Sequence, residues 1–372
     1  MSSTIGTSLR CTVFGQSHSE AIGCVIEGFP AGFEPDFDQL RAFMARRAPG
    51  HAAWSTPRKE ADQFRVLSGL NPEGVTCGAP LACVIENTNT RSQDYDQLRR
   101  VPRPGHADYT AQLRYGGHQD VAGGGHFSGR LTAPLCFAGG LCVQLLAERG
   151  VTIGAHLQEV ASIADKPLPS WDGTLKSQER IDQVLASVAQ KPFPTIDDEA
   201  GRAMQAAIES ARKDLDSVGG IIGCAVTGFE AGVGSPMFDG LENLLARALF
   251  GIPAVKGLSF GDGFAAARSR GSQNNDPYGL VEGACTPLSN HAGGILGGIS
   301  TGAPLTFSVA IKPTASIGQR QASVDLQTGE PHSLIIKGRH DPCIAPRAVP
   351  VVEAVTALVC LDALITWPPT HL

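Results

Sequence analysis

Apolar positions along the chain fall into short runs and a few long ones. Leu9 to Phe14 is a mostly apolar run that ends at a glycine, which predicts a strand feeding a loop. Ala82 to Ile85 and Thr306 to Ile311 are compact apolar runs, each introduced by Gly-Ala-Pro-Leu (78–81 and 302–305), and read as further strands. Leu131 to Glu148 and Ala348 to Ile365 are long enough to be apolar helices. The first is broken by Thr132, Pro134, Gly139, Gly140 and Gln144, so it is not expected to span a membrane. Asp197 to Asp216 reads as an amphipathic helix, with Met204, Ile208, Ala211 and Leu215 at helical spacing behind an acidic start. Residues 166–194 are polar and hold Pro167, Pro169, Pro192 and Pro194, and read as a connector.

The order of elements repeats. Gly23-Cys24-Val25-Ile26-Glu27-Gly28-Phe29 is echoed by Gly223-Cys224-Ala225-Val226-Thr227-Gly228-Phe229. Phe37-Asp38-x-Leu40 and Phe238-Asp239-x-Leu241 follow, each opening a helical pattern that ends near Arg47 or Arg247. With the two Gly-Ala-Pro-Leu runs and the two long helices, the chain reads as a single domain over 1–372. Its two similar halves are expected at about 1–150 and 200–372.

Composition narrows the function classes. The 372 residues carry a net charge of −6 and are 42% hydrophobic, which excludes disorder as the overall state and argues against a general nucleic-acid binder. The 44 glycines and 25 prolines predict short elements joined by tight turns. Met1 to Gly6 shows no basic segment followed by an apolar run, so a cytoplasmic address is expected. The ten cysteines form no Cys-x-x-Cys pair and read as small buried thiols, with no metal site expected.

Against this acidic background, basic residues gather locally. Residues 39–65 hold Arg41, Arg46, Arg47, Arg58, Lys59 and Arg65 against Glu60 and Asp62. Residues 88–130 add Arg103 and Arg130 among six arginines, with His106, His118 and His126. Converging, such loops would bind an anion; separately, they are solvated charge. His18 in Gly15-Gln16-Ser17-His18-Ser19 follows a strand, where a loop histidine can donate a proton near neutral pH. The Gly-rich run 293–302 lacks the Gly-Lys-Ser/Thr of a P-loop. It fits either close approach to a flat or anionic ligand or tight packing of two elements. Lys312-Pro313-Thr314-Ala315-Ser316 combines a cation, hydroxyls and a fixed turn, as a phosphate tail would require. Neither Gly-x-Ser-x-Gly nor His-Glu-x-x-His occurs, so hydrolase and metalloprotease readings find no support.

Five segments in order, Gly15-Gln-Ser-His-Ser, Arg103-Pro-Gly-His-Ala-Asp, Gly123-Gly-Gly-His-Phe-Ser-Gly-Arg130, Asn290-His-Ala-Gly-Gly-Ile-Leu-Gly-Gly and Gly338-Arg-His-Asp-Pro-Cys, closely resemble chorismate synthase. Asn87-Thr88 to Asp94-Tyr95 and Lys312 to Ser316 add to the resemblance, which covers essentially the whole chain. It implies an α+β fold, a layered β-α-β sandwich of helices and antiparallel sheets, assembled as a homotetramer. It also implies a lyase that converts 5-enolpyruvylshikimate 3-phosphate to chorismate and phosphate with reduced FMN as cofactor. Whether the chain would reduce its flavin with NAD(P)H or depend on an external flavin reductase stays open.

Carried onto matching positions, the resemblance gives His18 the protonation of departing phosphate and sets His106 beside the flavin's pyrimidine edge. Asp341 would help take a proton from the flavin N5 region. Ser17, Arg47, Arg58, Arg103, Arg130 and Arg339 would bind the substrate. FMN would lie against His126, Phe127, Ser128, Ala254, Gly297, Lys312, Pro313, Thr314, Ala315, Ser316 and Arg339. The chain departs from the family pattern at Gln16 and Ser19, where Glu and Gly are usual, and at His126-Phe127, where Arg-Ser is usual. These departures motivate the alternatives, a catalytically silent FMN- or phosphate-binding paralogue and a flavin oxidoreductase.

Overall fold

Burial along Leu305–Ile311 shows how this chain makes a core strand. Leu305, Phe307, Val309 and Ile311 are buried while the residues between them are less so, the period of two that sets alternate side chains on opposite faces. The computed structural model describes residues 3–50, 54, 62–88, 98–336 and 341–370.

In the first half, β1 (Thr4–Ile5), β2 (Arg10–Gly15), β3 (Ala21–Glu27), β4 (Phe64–Ser68) and β5 (Leu81–Glu86) form an antiparallel sheet in the order β1-β2-β3-β5-β4. Helix α1 (Phe37–Arg47) lies between β3 and β4 in the chain, followed after β5 by α2 (Asp108–Tyr115) and α3 (Thr132–Ala147). The second half begins with β6 (Thr152–Val160) and β7 (Ile163–Ala164), then α4 (Leu175–Ala189), α5 (Asp198–Lys213), β8 (Gly220–Thr227), α6 (Leu241–Leu249) and β9 (Val255–Phe260). After the short α7 (Gly271–Asn274) come two hairpins, β10 (Tyr278–Val281) with β11 (Ala284–Pro287) and β12 (Ile295–Leu296) with β13 (Ile299–Ser300). Strand β14 (Leu305–Ile311), the hairpin β15 (Gln321–Val324) with β16 (Pro331–Leu334), and α8 (Ala345–Thr366) complete the order. The second sheet is also antiparallel, β7-β6-β8-β14-β9.

Helices α3 and α8 pack on each other between the two sheets, α3 touching β3 and β5 and α8 touching β6 and β8. The architecture is therefore α+β, with apolar helices sealed between two sheets. Segments 129–147 and 345–366 have the length and hydropathy of membrane spans, but 72% and 89% of their apolar windows are buried inside the fold. Close approach of α3 and α8 depends on Gly139, where a Cβ would stand 2.2 Å from the Ala354 carbonyl oxygen.

The echoed segments occupy like places. Gly23-Cys24 lies in β3 and Gly223-Cys224 in β8, each the middle strand of its sheet. Beside them run β5 and β14, the strands that follow the two Gly-Ala-Pro runs, and α1 and α6 follow the middle strands in the chain. The stretch read as a connector differs from expectation. Thr174 caps α4, whose Ile181, Leu185 and Val188 are buried at helical spacing on β6 and β8. All ten cysteines are free thiols, and eight are buried, only Cys77 and Cys285 being exposed.

Candidate functional site

The site is assembled around three consecutive glycines. Gly123, Gly124 and Gly125 all have positive φ, a run of left-handed backbone that only glycine adopts without strain. Their turn passes between two histidines. A Cβ on Gly123 would lie 2.4 Å from His18 Nδ1 and from Ser17 Oγ, and one on Gly124 would lie 3.1 Å from Cε1 and Nε2 of His106. The Gly125 carbonyl accepts from the Ser17 amide at 3.0 Å, fixing the turn to the loop after β2. Ser17 is buried, and its Oγ is 3.2 Å from His18 Nδ1.

On the far side of the turn, Arg103 and Asp108 form a buried pair at the start of α2. Arg103 Nε and Nη2 donate to the two carboxylate oxygens at 2.7 and 2.8 Å, and the Arg103 backbone amide donates at 3.0 Å. His106 Nδ1 lies 2.6 Å from Asp108 Oδ1, so Nδ1–H donates to the ionised carboxylate and Nε2 is left toward the glycine turn. Burial alone would raise the Asp108 carboxyl, but hydrogen bonds from Arg103 and His106 outweigh it and hold the group well below the usual carboxylate range. Arg103 Nη1 continues to Ser316 Oγ at 3.1 Å, joining this half of the site to the loop after β14.

That loop carries the residues expected to hold a phosphate. Lys312 Nζ donates to the Gly105 carbonyl, and the Lys312 amide donates to the carbonyl of Ala254 at 3.0 Å. Burial, and then the neighbouring Lys256, push the Lys312 ammonium below an ordinary lysine. Among the described residues, the buried Thr314 Oγ1 has no hydrogen-bond partner. Pro313 and Ala315 shape the turn around it, Ala315 lying beneath Gly105.

A second cationic cluster forms where α1 ends. Leu40, Met44 and Arg47 share the buried stripe of α1, so helical periodicity turns Arg47 inward. Its neighbour Arg46 turns to Glu353 of α8, at 2.6 and 2.9 Å. Arg47 and Arg130 donate to opposite oxygens of the buried Asp62, and Arg47 Nε also donates to Thr132 Oγ1 at 3.1 Å. Burial would raise the Asp62 carboxyl, but the Arg47 and Arg130 guanidinium groups hold it below its ordinary value. Arg347 at the start of α8 donates to the Arg47 carbonyl at 2.9 Å and pairs with Asp341. Within the described residues, Asp341 thus reaches the site through Arg347. Arg58 and Arg339 lie outside the described residues.

His126, Phe127 and Ser128 directly follow the glycine turn. The His126 and Phe127 rings lie 4.2 Å apart, with Tyr115 edge-on to His126 and its hydroxyl 3.4 Å from Nε2. Ser128 Oγ accepts from the Arg130 amide at 3.3 Å. Gly297 lies in a separate hairpin. It and Gly298 make the two-residue turn of the β12–β13 hairpin at positive φ, and the Gly298 carbonyl accepts from the first amide of α6 at 2.9 Å. Ala254 lies beyond the other end of that helix in the chain. Gly293, Gly294 and Gly298 face backbone atoms too closely for a Cβ and serve packing, whereas nothing lies within 4 Å of a Cβ built on Gly297.

The acids Asp62 and Asp108, the amide Asn87 and the cation Arg347 were not singled out as site residues from sequence. For the acids a signal existed: each is a carboxylate within a locally basic stretch, where a guanidinium partner is close at hand. A preorganised set of Arg forks, two histidines and hydroxyls suits a small substrate with several anionic groups and a reaction that expels one of them.

Comparison with known proteins agrees. A family model described as chorismate synthase matches residues 9–365. A chorismate synthase of Lancefieldella parvula is 46% identical over 372 residues, covering 99% of this chain and 97% of the relative. One of Methanosarcina barkeri is 43% identical over 360 residues, covering 97% and 95%. A crystal structure of chorismate synthase superposes with a TM-score of 0.76 at 25% identity, covering 97% of this chain and 92% of that one.

Proposed function

The chain belongs to the chorismate synthase family, and from that premise we propose that the residues around the Gly123–Gly125 turn perform its reaction. The enzyme is a carbon-oxygen lyase that eliminates phosphate from 5-enolpyruvylshikimate 3-phosphate in a 1,4 sense, giving chorismate and inorganic phosphate. The elimination removes one ring proton and one phosphate, so the site must grip three anionic groups and neutralise charge on the leaving one.

Arg47 and Arg130, held rigid by Asp62, and Arg103, held by Asp108, set fixed positive charge beside the site for the phosphate and carboxylates. Ser17 adds a hydroxyl beside His18. His18 supplies a proton to the departing phosphate, whose developing charge otherwise makes it a poor leaving group. His106 is fixed by Asp108 as the Nδ1–H tautomer, with Nε2 directed at the centre of the site.

Reduced FMN is the cofactor in this reading, and the residues present fit it. Lys312, Ser316 and the partnerless buried hydroxyl of Thr314 make a phosphate-tail site, and His126 with Phe127 offers flat faces to the ring. When bound, reduced flavin supplies the electron density that makes cleavage of the allylic C–O bond accessible. We further assign the enzyme to the cytoplasm, which suits its free thiols. A homotetramer is the proposed assembly, which would cover the exposed Phe238, Phe264 and Leu280.

The observation that carries the proposal is the single glycine turn that packs against both Ser17-His18 and His106. Its test is anaerobic incubation of the purified protein with substrate and chemically reduced FMN, with oxidised FMN as control. Chorismate and phosphate released in equal amounts, only with reduced flavin, is the expected result. Binding of flavin and substrate without either product would overturn it in favour of a silent paralogue.

A further inference from the structure

One side chain stands between the histidine loop and the arginine cluster. Asn87 directly follows β5 and is half-buried. Its Nδ2 donates to the carbonyl of Ser19 at 2.8 Å and to that of Gln16 at 3.2 Å, while its Oδ1 accepts from Arg130 Nε at 2.9 Å. Its backbone amide donates to the Glu20 carbonyl at 3.0 Å. Both ends of one amide are therefore used in opposite senses, the donor end on the turn that holds His18 and the acceptor end on a guanidinium. From inside the same turn, Ser19 Oγ accepts from the Gln16 amide at 2.9 Å and lies within donating reach of the Gln16 and Ala21 carbonyls. Ser19 is outside the positive-φ region, so its Cβ strains nothing and its hydroxyl closes the loop.

We infer that Asn87 is a positioning residue that holds the His18 imidazole and the Arg130 guanidinium in one frame, with Ser19 closing the histidine turn from the other side. The inference rests on the roles proposed for His18 and Arg130. Only an amide of this length serves. Aspartate would keep an acceptor for Arg130 but set a carboxylate against two carbonyls, and alanine would release both partners. A proton donor displaced by about 1 Å from its acceptor costs on the order of 100-fold in rate.

The experiment is steady-state kinetics of Asn87→Asp and Ser19→Ala against wild type and His18→Ala, with reduced flavin, over a range of pH, alongside melting curves. Asn87→Asp should keep KM within about threefold and lose roughly 100-fold in kcat, with the alkaline limb of its kcat profile, where a proton-donating imidazole loses its proton, displaced. Ser19→Ala, which leaves Arg130 untouched, should lower kcat by about tenfold at unchanged KM. A wild-type kcat and pH profile in Asn87→Asp would overturn the inference. So would a loss of kcat that tracks melting temperature with a wild-type pH profile. If His18→Ala turns over normally, the reading of His18 fails first. If His18→Ala is inactive while Asn87→Asp is not, the inference about Asn87 alone fails.

Discussion

Gly123 and His18 are in contact so close that no side chain fits between them: a Cβ on the glycine would lie 2.4 Å from both Nδ1 and Cε1 of the imidazole. The glycine also sits at a φ of 61°, where an L-residue is strained. Two separate reasons therefore favour glycine, and the first of them concerns the placement of His18 rather than the core.

Gly123→Ala should therefore damage turnover more than folding. The histidine must swing away from the added methyl, losing on the order of 100-fold in kcat, while left-handed strain costs only about 1–2 kcal/mol of stability. Steady-state kinetics with reduced flavin and a melting curve measure the two effects separately. A variant with normal kcat would show that His18 has no fixed geometry to lose.

Asp108→Asn should destabilise the protein at neutral pH by about 3 kcal/mol, because the buried Arg103 loses its counter-charge. The pH dependence has a definite sign. Asp108 is depressed in the folded state, so its contribution is fully present above the ordinary carboxylate value of about 3.9 and is lost as pH falls from there through the folded value. Denaturant melts of both proteins should differ at pH 7 and converge progressively below about pH 4. A constant difference across that range would contradict the assigned pairing.

Arg47→Lys keeps a charge but loses the fork, since one ammonium cannot take the place of both Nε on Thr132 and Nη1 on Asp62. The expected result is a rise of about tenfold or more in substrate KM with stability reduced by roughly 1–2 kcal/mol. Unchanged KM would place the substrate's anionic groups elsewhere.

Much of this site was legible before any coordinates. The inward turn of Arg47 follows from its place seven residues after Leu40 on one helical stripe. The Gly-Cys and Gly-Ala-Pro echoes mark strands that lie side by side in the middle of each sheet. What stayed hidden depends on tertiary pairing. Asn87 and Arg347 act through partners 43 and 300 residues away, a relation no local pattern encodes. Gly297 matched a flavin contact by alignment, yet glycine there also satisfies a tight hairpin, and sequence cannot separate the two demands. The prolines of 166–194 flank α4, whose apolar stripe is only Ile181, Leu185 and Val188, so the stretch reads as a connector until the helix is seen packed.

Flavin affinity tests the loop after β14 without reliance on turnover. Lys312 is pushed below an ordinary lysine by burial and by Lys256, and only its charged form can pair with a phosphate. FMN binding, followed by quenching of flavin fluorescence, should therefore weaken as pH rises through that lowered value, at less alkaline pH than an ordinary lysine near 10.4 would give. Lys312→Met should raise the dissociation constant by about 10- to 100-fold and flatten this alkaline limb. Thr314→Val separates cofactor binding from structure more sharply. The buried hydroxyl has no partner among the described residues, so replacing it with a methyl should leave the flavin-free melting temperature unchanged or slightly raised. The same change should weaken FMN about fivefold or more, because the hydrogen bond reserved for the cofactor is gone. A Thr314→Val protein that binds FMN as wild type does would show that the phosphate tail lies elsewhere, and Lys312 would then have to be reassigned as a structural partner of Gly105.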